Sequence, residues 1–367
     1  MNKEQIRDFV NNIYKIIKKS NYEFMKYINV DFNIIMTIGE YFKSNAFKDN
    51  LRLDRINKIP KEVKSILYER EKGSYSKGNI FIYANNLIAP LGKKIGKGPL
   101  TMLVFHELRH ALQEQYQDNS LESIIYQMEK EKHDLTYLTM HDSLFAEIDA
   151  KLSGIVEAKK FIENNPSLYS ESDNYFLDTK LEETKYLVNN YDYDNLFLNY
   201  SAHKLKHPKY KTNLEWERLM FDENGYIRSL EDIINDELFS HVDRQFIRKF
   251  ITSEVFANSI DINNLSDKSI NFLYEQYNLS YKEEKNNYEE LKLKKENDRI
   301  IRFQNKSLKR LDRYETVLDE LDKIISEHKT LQRRRESLGY ISVISMTIGL
   351  LILICMFMLF VILKVRI

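Results

Sequence analysis

The chain has 367 residues, 43% of them hydrophobic and 12% aromatic. This is enough apolar material for one large or two ordinary domains, and it excludes a chain that is disordered throughout. Lysine plus arginine equals aspartate plus glutamate at 55 each, so no excess positive charge points to nucleic acid as a partner.

The N-terminal segment is predicted to be an amphipathic helix. Apolar residues recur at helical spacing over residues 2–20, with charged and polar residues between them. They do not form the unbroken apolar centre of a signal peptide, so no export signal is predicted. A short helix is predicted to begin at Pro60, because helices accept proline in their first turn.

A strand is predicted at residues 79–84, after a turn-rich break at residues 73–78. The strand sequence Asn-Ile-Phe-Ile-Tyr-Ala is rich in β-branched and aromatic residues. Two interpretations stay open. The strand could lie at a sheet edge and pair with an extended substrate by strand addition, or it could be an ordinary interior strand.

The strongest functional signal lies in a helix predicted from Pro99 to about Tyr116. Residues 106–110 read His-Glu-Leu-Arg-His, an H-E-x-x-H sequence. Residues four apart share one face of a helix, so both imidazoles can reach a single zinc ion. Glu107 stands beside them and can take a proton from the water that the metal activates.

The residues around this motif favour a functional helix. An apolar stripe would bury the back of the helix and turn His106 and His110 toward a cleft. The stripe consists of Val104, Leu108, Ala111 and Leu112. Two histidines on an ordinary helix are the alternative interpretation.

A catalytic zinc site needs a third protein ligand and an open position for water. The predicted ligand is Glu147, in a helix predicted at residues 143–163. Small residues on the same face, Ala150 and Gly154, would let two helices approach closely. His141 is the alternative ligand, and a surface glutamate is the interpretation without a metal.

Several other side chains are weaker candidates. Asp149 or Asp142 could hold a histidine ring through its far nitrogen, or either could be a solvated helix residue. The oxyanion of the reaction could be stabilised by Tyr116, His133 or His141. The sequence does not choose among these three.

The order of strand, H-E-x-x-H helix and downstream helical glutamate resembles that of the gluzincin-type zinc metallopeptidases. Residues 147–150, Glu-Ile-Asp-Ala, look like the E-x-x-A segment of the ImmA/IrrE group. Gln113 and Tyr116 stand where a metzincin would have glycine and histidine, which excludes that class. The resemblance covers about residues 79–154.

The resemblance implies both a site and a substrate class. A small α+β domain would hold the metal between a pair of helices. Because members of the ImmA/IrrE group cleave regulators such as repressors, a protein substrate is implied. The implied zinc ligands are His106, His110 and Glu147, with Glu107 as the general base.

The C-terminal half carries weaker signals. Residues 219–228 are predicted to form a hairpin with Asn224-Gly225 as its turn, and helices are predicted from Leu230 and from Asp243. Residues 274–335 are highly charged and lack glycine and proline. A solvated helix is one interpretation, and a coiled coil forming a homodimer through residues 305–332 is the other. The apolar seam of that coiled coil would be Leu311, Tyr314, Leu318, Leu321, Ile325 and His328.

The end of the chain predicts a membrane span. Residues 340–363 carry no charge, and about 20 apolar residues suffice for a transmembrane helix. Basic residues are more numerous before this segment, at 333–335, than after it, so the N-terminal bulk is predicted to be cytoplasmic. The inverted orientation is the alternative. The single cysteine, Cys355, lies in this segment and is excluded as a metal ligand.

These elements predict a helix-rich α+β protein in four parts. Residues 1–165 would form a zincin-like metallopeptidase domain with a small sheet and an active-site helix pair. A helical extension at 166–273, a charged helix or coiled coil at 274–338 and a transmembrane helix at 339–364 would follow.

The predicted function is that of a tail-anchored membrane protease: a zinc metallopeptidase hydrolysing a protein or peptide substrate, with no nucleic-acid partner. The alternative is a membrane-anchored scaffold that recruits partners through the charged helix. Its metal site would be structural or vestigial.

Overall fold

The computed structural model describes residues 1–20, 22–37, 40, 72–84, 86–88, 95–131, 144–207, 214–294 and 298–365. In the last helix, side chains are described at 298–335, 346, 347 and 350. The predicted helix at Pro60 lies outside these ranges, as do His133, His141 and Asp142. The chain divides into two compact units, Met1–Ile227 with Glu237–Val255, and Arg228–Asp236 with Phe256–Ile367.

The described elements are mostly helices, and they include one small sheet. In chain order they are α1 (Lys3–Lys19), β1 (Asp31–Ile35), β2 (Gly73–Ser76), β3 (Asn79–Tyr83), α2 (Lys97–Gln115), α3 (Leu121–Glu131), α4 (Phe145–Asn164), α5 (Glu171–Asn189), α6 (Tyr193–Lys206), α7 (Glu215–Met220), α8 (Leu230–Asn235), α9 (Arg244–Ile251), α10 (Glu254–Ala257), α11 (Asp267–Lys292) and α12 (Asp298–Val365). Short 3-10 turns lie at Glu23–Lys26, Pro166–Leu168, Glu237–Ser240 and Ile262–Asn264.

Helix α1 confirms the predicted amphipathic helix at the N-terminus. Asn2 caps it by accepting a hydrogen bond from the backbone N–H of Gln5, and the Gln5 side chain accepts one from the N–H of Asn2, each at 2.8 Å. This reciprocal pair satisfies two backbone donors at the helix start. The buried face of the helix consists of Ile6, Phe9, Val10, Ile13 and Ile17.

The sheet has the strand order β1-β3-β2, with β1 parallel and β2 antiparallel to β3. Strand β3 is therefore the central strand of the three, which agrees with the interior interpretation of residues 79–84. The predicted break at 73–78 is wrong, because its first four residues form β2. Lys77 and Gly78 join β2 to β3 with φ values of 46° and 81°. Both are positive, as a tight hairpin turn with the right-handed strand twist requires.

One apolar core packs the sheet against three helices of the first unit. It joins the buried faces of α1, β3, α2 and α4, and it reaches α5 at Leu177. Representative members are Ile13, Ile82, Val104 and Ile155, each at most 1% exposed. This core holds α2 and α4 side by side and so determines where their polar faces meet.

Asp173 ties the start of α5 to the start of α2. Its carboxylate accepts hydrogen bonds from the backbone N–H of Gly98 at 2.7 Å and from the hydroxyl of Ser170 at 2.7 Å. Burial opposes the charge, but these bonds and the nearby Lys97 outweigh it and hold the pKa of Asp173 below its ordinary value of 3.8. The ionised carboxylate therefore stabilises the folded chain.

We expect Asp173→Asn to lower the free energy of unfolding by about 1.5–3 kcal/mol at pH 7, as loss of hydrogen bonds to a charged group does. Because the pKa is lower in the folded than in the unfolded chain, the stabilisation is present above pH 3.8 and is lost as the pH falls through the folded value. Urea unfolding at several pH values should show the gap between wild type and variant closing toward acid.

The matched control for this prediction is Asp178→Asn, the same change on the same helix. Asp178 pairs with Lys159 at the surface and is 59% exposed, so its loss should cost less than about 1 kcal/mol. Equal losses in the two variants would contradict the capping role of Asp173.

The predicted hairpin at 219–228 is wrong except at its turn. Leu219 and Met220 belong to α7, and one isolated bridge joins Phe221 to Ile227. The turn is present, with Gly225 at a φ of 82°. Both Leu219 and Met220 are completely buried, so a helical turn that places them in the core replaces the strand that their apolar character suggested. Helices α8 and α9 confirm the predicted helix starts near Leu230 and Asp243.

In the second unit, the predicted continuous charged helix is two antiparallel helices, α11 and α12. The pairs Asp267–His328 at 2.6 Å and Glu284–Arg310 at 2.9 Å join them along their length. Tyr314 and Leu321 of the predicted seam are buried, and the ring of Tyr314 contacts that of Tyr277 in α11. The seam thus has a partner within the chain, and the homodimer stays a prediction.

The predicted transmembrane helix at 339–364 is contradicted. A spanning helix needs about 20 predominantly apolar residues. In the part of the chain that the structure describes, no helix combines enough length with enough apolar character to cross a membrane. Residues 339–364 belong to α12, whose described side chains at 298–335 are largely charged or polar. The predicted fold class is therefore wrong in its transmembrane helix, and the predicted tail-anchored membrane localisation is wrong with it.

Candidate metal centre

The predicted metal residues lie where α2 and α4 run antiparallel. Gly154 of α4 packs directly on the backbone of α2. A β-carbon at this position would lie 2.9 Å from the carbonyl oxygen of Met102 and 3.0 Å from the backbone nitrogen of His106. Any larger residue would push the two helices apart. The expectation that small residues allow a close approach is confirmed at this position.

The structure brings His106, His110 and Glu147 together. The Nε2 atoms of the two histidines are 3.1 Å apart. The carboxylate of Glu147 places one oxygen 3.2 Å from Nε2 of His110 and the other 3.5 Å from Nε2 of His106. Ligand atoms of all three residues lie within 4.8 Å of one another, so the cluster could hold one metal ion.

These distances fit a tetrahedral zinc ion. With zinc–ligand bonds of 2.0–2.1 Å, neighbouring ligand atoms are about 3.3–3.4 Å apart. The separations of 3.1, 3.2 and 3.5 Å lie close to that value, the last two from different oxygens of the Glu147 carboxylate. Two imidazoles and one carboxylate are also a donor set found in catalytic zinc sites. The side chains are 10–18% exposed, which leaves the cluster in contact with solvent.

Without a metal, the two imidazoles share one positive charge. Burial and the neighbouring His110 lower the pKa of His106 to about 3. Burial also disfavours a charge on His110, but the hydrogen bond to Glu147 and its negative charge raise the pKa of His110 to about 9. At pH 7 the proton therefore resides on His110. A metal ion binding both rings must displace this proton.

Glu107 lies on the sheet side of α2, against strand β2. It is 3% exposed, and a β-carbon at Gly73 would lie 2.6 Å from its Oε1 atom. Only glycine leaves room for the carboxylate here. The negative charge of Glu107 also helps to raise the pKa of His110, which places the predicted base within electrostatic reach of the predicted ligands.

The other candidates from the sequence have different positions. Tyr116 ends α2, is 39% exposed and packs against Tyr27 with ring centres 4.4 Å apart and ring planes tilted by 37°. Asp149 is buried but contacts Arg109 and Gln113 instead of a histidine ring. The predicted contact of Asp149 with a histidine ring is therefore wrong. His133, His141 and Asp142 lie outside the described residues.

Two supporting residues escaped the sequence analysis. Gln113 contacts His110, and its place one helical turn further along α2 could have revealed it. Glu129 of α3 caps the start of α4 by accepting hydrogen bonds from the N–H groups of Phe145 and Ala146 at 2.8 and 3.1 Å. No local signal identifies this cap, because it joins residues that are distant in sequence.

Comparison with known proteins adds no relative to this description. No protein-family model matches the chain, and neither a curated protein nor a solved structure matches it. The interpretation of the centre therefore rests on its own residues.

Proposed function

We propose that this chain is a zinc-dependent peptidase that hydrolyses peptide bonds in a protein or peptide substrate. The observation that carries the proposal is the convergence of His106, His110 and Glu147 at the spacing of a tetrahedral ion. Structural zinc sites are usually closed by four protein ligands. The described residues supply three at this centre, which leaves one position for water or substrate.

The chemistry divides between the metal and Glu107. A zinc ion held by the three residues would act as a Lewis acid on the attacking water and on the substrate carbonyl. Glu107 would accept a proton from that water as its oxygen bonds to the carbonyl carbon. The protonated carboxyl would then deliver the proton to the amide nitrogen as the C–N bond breaks. A metal site with only a structural role would not need this carboxylate.

Strand β2 supports an extended peptide as the substrate. Among the described strands, β2 pairs on one side only, with β3. Gly73 at its start is the residue packed against Glu107. An extended peptide that added to the other side of β2 by backbone hydrogen bonds would run past the predicted base.

The decisive variant is Glu107→Gln, which keeps the size of the side chain and removes the base. We expect the zinc-loaded wild-type protein to cleave members of a proteome-derived peptide library, detected as new N-termini by mass spectrometry. The variant should retain zinc and lose at least about 10²–10⁴-fold in cleavage rate, the usual contribution of a general base.

The matched control is Glu114→Gln, the same chemical change on the same helix but outside the cluster, which should cleave like the wild type. Cleavage that persists in Glu107→Gln would contradict the assigned base. A wild-type protein that holds zinc but cleaves nothing in the library would overturn the enzyme and favour a structural metal site.

A further inference from the structure

The side-chain amide of Gln113 links the two helices that carry the metal cluster. Its Nε2 atom donates to the backbone carbonyl of Ala146 at 3.0 Å and to the carboxylate of Asp149 at 2.8 Å. Both of these partners accept hydrogen bonds, so they use both hydrogens of the amide group. Gln113 is 7% exposed, so water has little access to compete for these bonds.

The orientation of the amide follows from these two bonds. Because the nitrogen faces α4, the carbonyl oxygen Oε1 must face His110, and it lies 2.9 Å from Nδ1. A carbonyl oxygen can only accept. The ring must therefore carry a hydrogen on Nδ1, and once the ring has lost its second proton the Nε2 lone pair is directed toward Glu147 and His106.

An ion pair between Arg109 and Asp149 holds the amide of Gln113 in this orientation. Arg109 donates from Nε to Asp149 Oδ2 at 2.7 Å and from Nη2 to Oδ1 at 3.2 Å. The guanidinium donates to both carboxylate oxygens of Asp149, so both oxygens act as acceptors. If the amide of Gln113 turned over, its oxygen would face two acceptors and two hydrogen bonds would be lost.

We propose that Gln113, backed by the Arg109–Asp149 pair, is a positioning residue that sets the tautomer of His110 and presents its Nε2 atom to the metal. Metal-binding histidines usually donate their other ring nitrogen to a carboxylate, carbonyl or water, and loss of such a partner weakens metal binding. Here the partner is an amide whose own orientation is set by an ion pair. The identity of the metal, but not the tautomer, rests on the proposed function.

The tautomer can be measured without any metal. In metal-free protein labelled with ¹⁵N-histidine, at a pH high enough for the ring to be neutral, His110 should show the signature of a hydrogen on Nδ1. In Gln113→Leu the Nε2–H form, which imidazole prefers in water, should become detectable. A wild-type ring with its hydrogen on Nε2, or an unchanged ring in the variant, would overturn the proposal.

Zinc affinity provides the second readout. Competition with a chromophoric chelator should show a Kd about 10–100-fold higher in Gln113→Leu than in the wild type. Gln113→Met, whose thioether sulfur is only a weak acceptor, should behave alike and replaces the first variant if that one does not fold. Gln115→Leu is the matched control, since Gln115 bonds Asn29 and Tyr75 and not the cluster.

The two proposals fail in different ways. Equally tight zinc binding in the wild type and in Gln113→Leu would contradict the positioning role of Gln113 but support the metal centre. A wild-type protein that binds no zinc would sink the peptidase, while the tautomer measurement on the metal-free protein would still decide the role of Gln113.

Discussion

Metal analysis of the purified full-length protein should find about one zinc ion per chain, and His106→Ala and Glu147→Ala should each lose it. The two residues come from different helices, and each supplies one ligand atom to the same cluster. Removing either leaves only two ligands, too few to retain zinc against a chelator. Mass spectrometry of the metal content after dialysis against a mild chelator measures the loss.

A second histidine pair provides the control. His203 and His207 are also four residues apart, with ring centres 4.8 Å apart, but among the described residues no carboxylate joins them in a metal cluster. His203→Ala should therefore keep its zinc. Loss in the His106 variant alone would move the third ligand away from Glu147, with His141 as the next candidate. No zinc in the wild type, even after adding it back, would overturn the metallopeptidase and favour a scaffold that recruits partners.

Zinc binding at this centre should weaken as the pH falls. The metal-free site holds a proton on His110, whose pKa is about 9. Zinc must displace that proton at any lower pH, so the affinity is expected to fall about tenfold for each pH unit below that value. Titration calorimetry in buffers of different ionisation enthalpy should show about one proton released per zinc at pH 7.

Glu217→Gln is expected to lower the free energy of unfolding of the first unit by about 3–5 kcal/mol. Lys204 and Glu217 form an ion pair in which the side chains are 5% and 2% exposed. The hydroxyl of Tyr200 donates to the same carboxylate at 2.9 Å. The variant leaves the ammonium group of Lys204 buried without its counter-charge. Urea unfolding followed by the fluorescence of Trp216, the single tryptophan and a buried neighbour in the sequence, measures the effect.

Two comparisons test whether burial causes this loss. The double variant Lys204→Met/Glu217→Leu removes both charges, so it should lose much less than Glu217→Gln alone. The surface pair of Lys180 and Glu183 is 42% and 57% exposed, and Glu183→Gln should cost less than about 1 kcal/mol. A loss in Glu217→Gln as small as that of the surface variant would contradict the argument.

The sequence by itself determined the parts of the centre that depend on local periodicity. The spacing of His106 and His110 places both rings on one face of any helix, and α2, at Lys97–Gln115, lies within two residues of the predicted bounds, Pro99 to about Tyr116. The pattern around Glu147 predicted a helix with small residues on one face, and α4 packs on α2 at Gly154. The requirement of zinc for a third ligand then made Glu147 the first candidate, with His141 as the alternative.

Long-range packing decided what the local pattern could not. Gly73 and its neighbours read as a turn, yet pairing with β3 makes them a strand beside Glu107. The charged segment after 274 has neither glycine nor proline to mark a break, yet α11 and α12 bury Tyr277 and Tyr314 against each other. The apolar pattern at 339–364 predicted a transmembrane helix, yet no helix in the described residues has the length and apolar character needed to cross a membrane.

The residues around the metal cluster show most clearly the difference between what the local pattern predicts and what long-range packing decides. Arg109, Gln113 and Asp149 are ordinary polar residues in the sequence, and nothing in their spacing along the chain predicts that they bond one another. Their hydrogen bonds exist because the apolar core holds α2 and α4 antiparallel at close range. Periodicity predicts which face of a helix a residue occupies, whereas the partner across that face depends on which elements the hydrophobic core brings together.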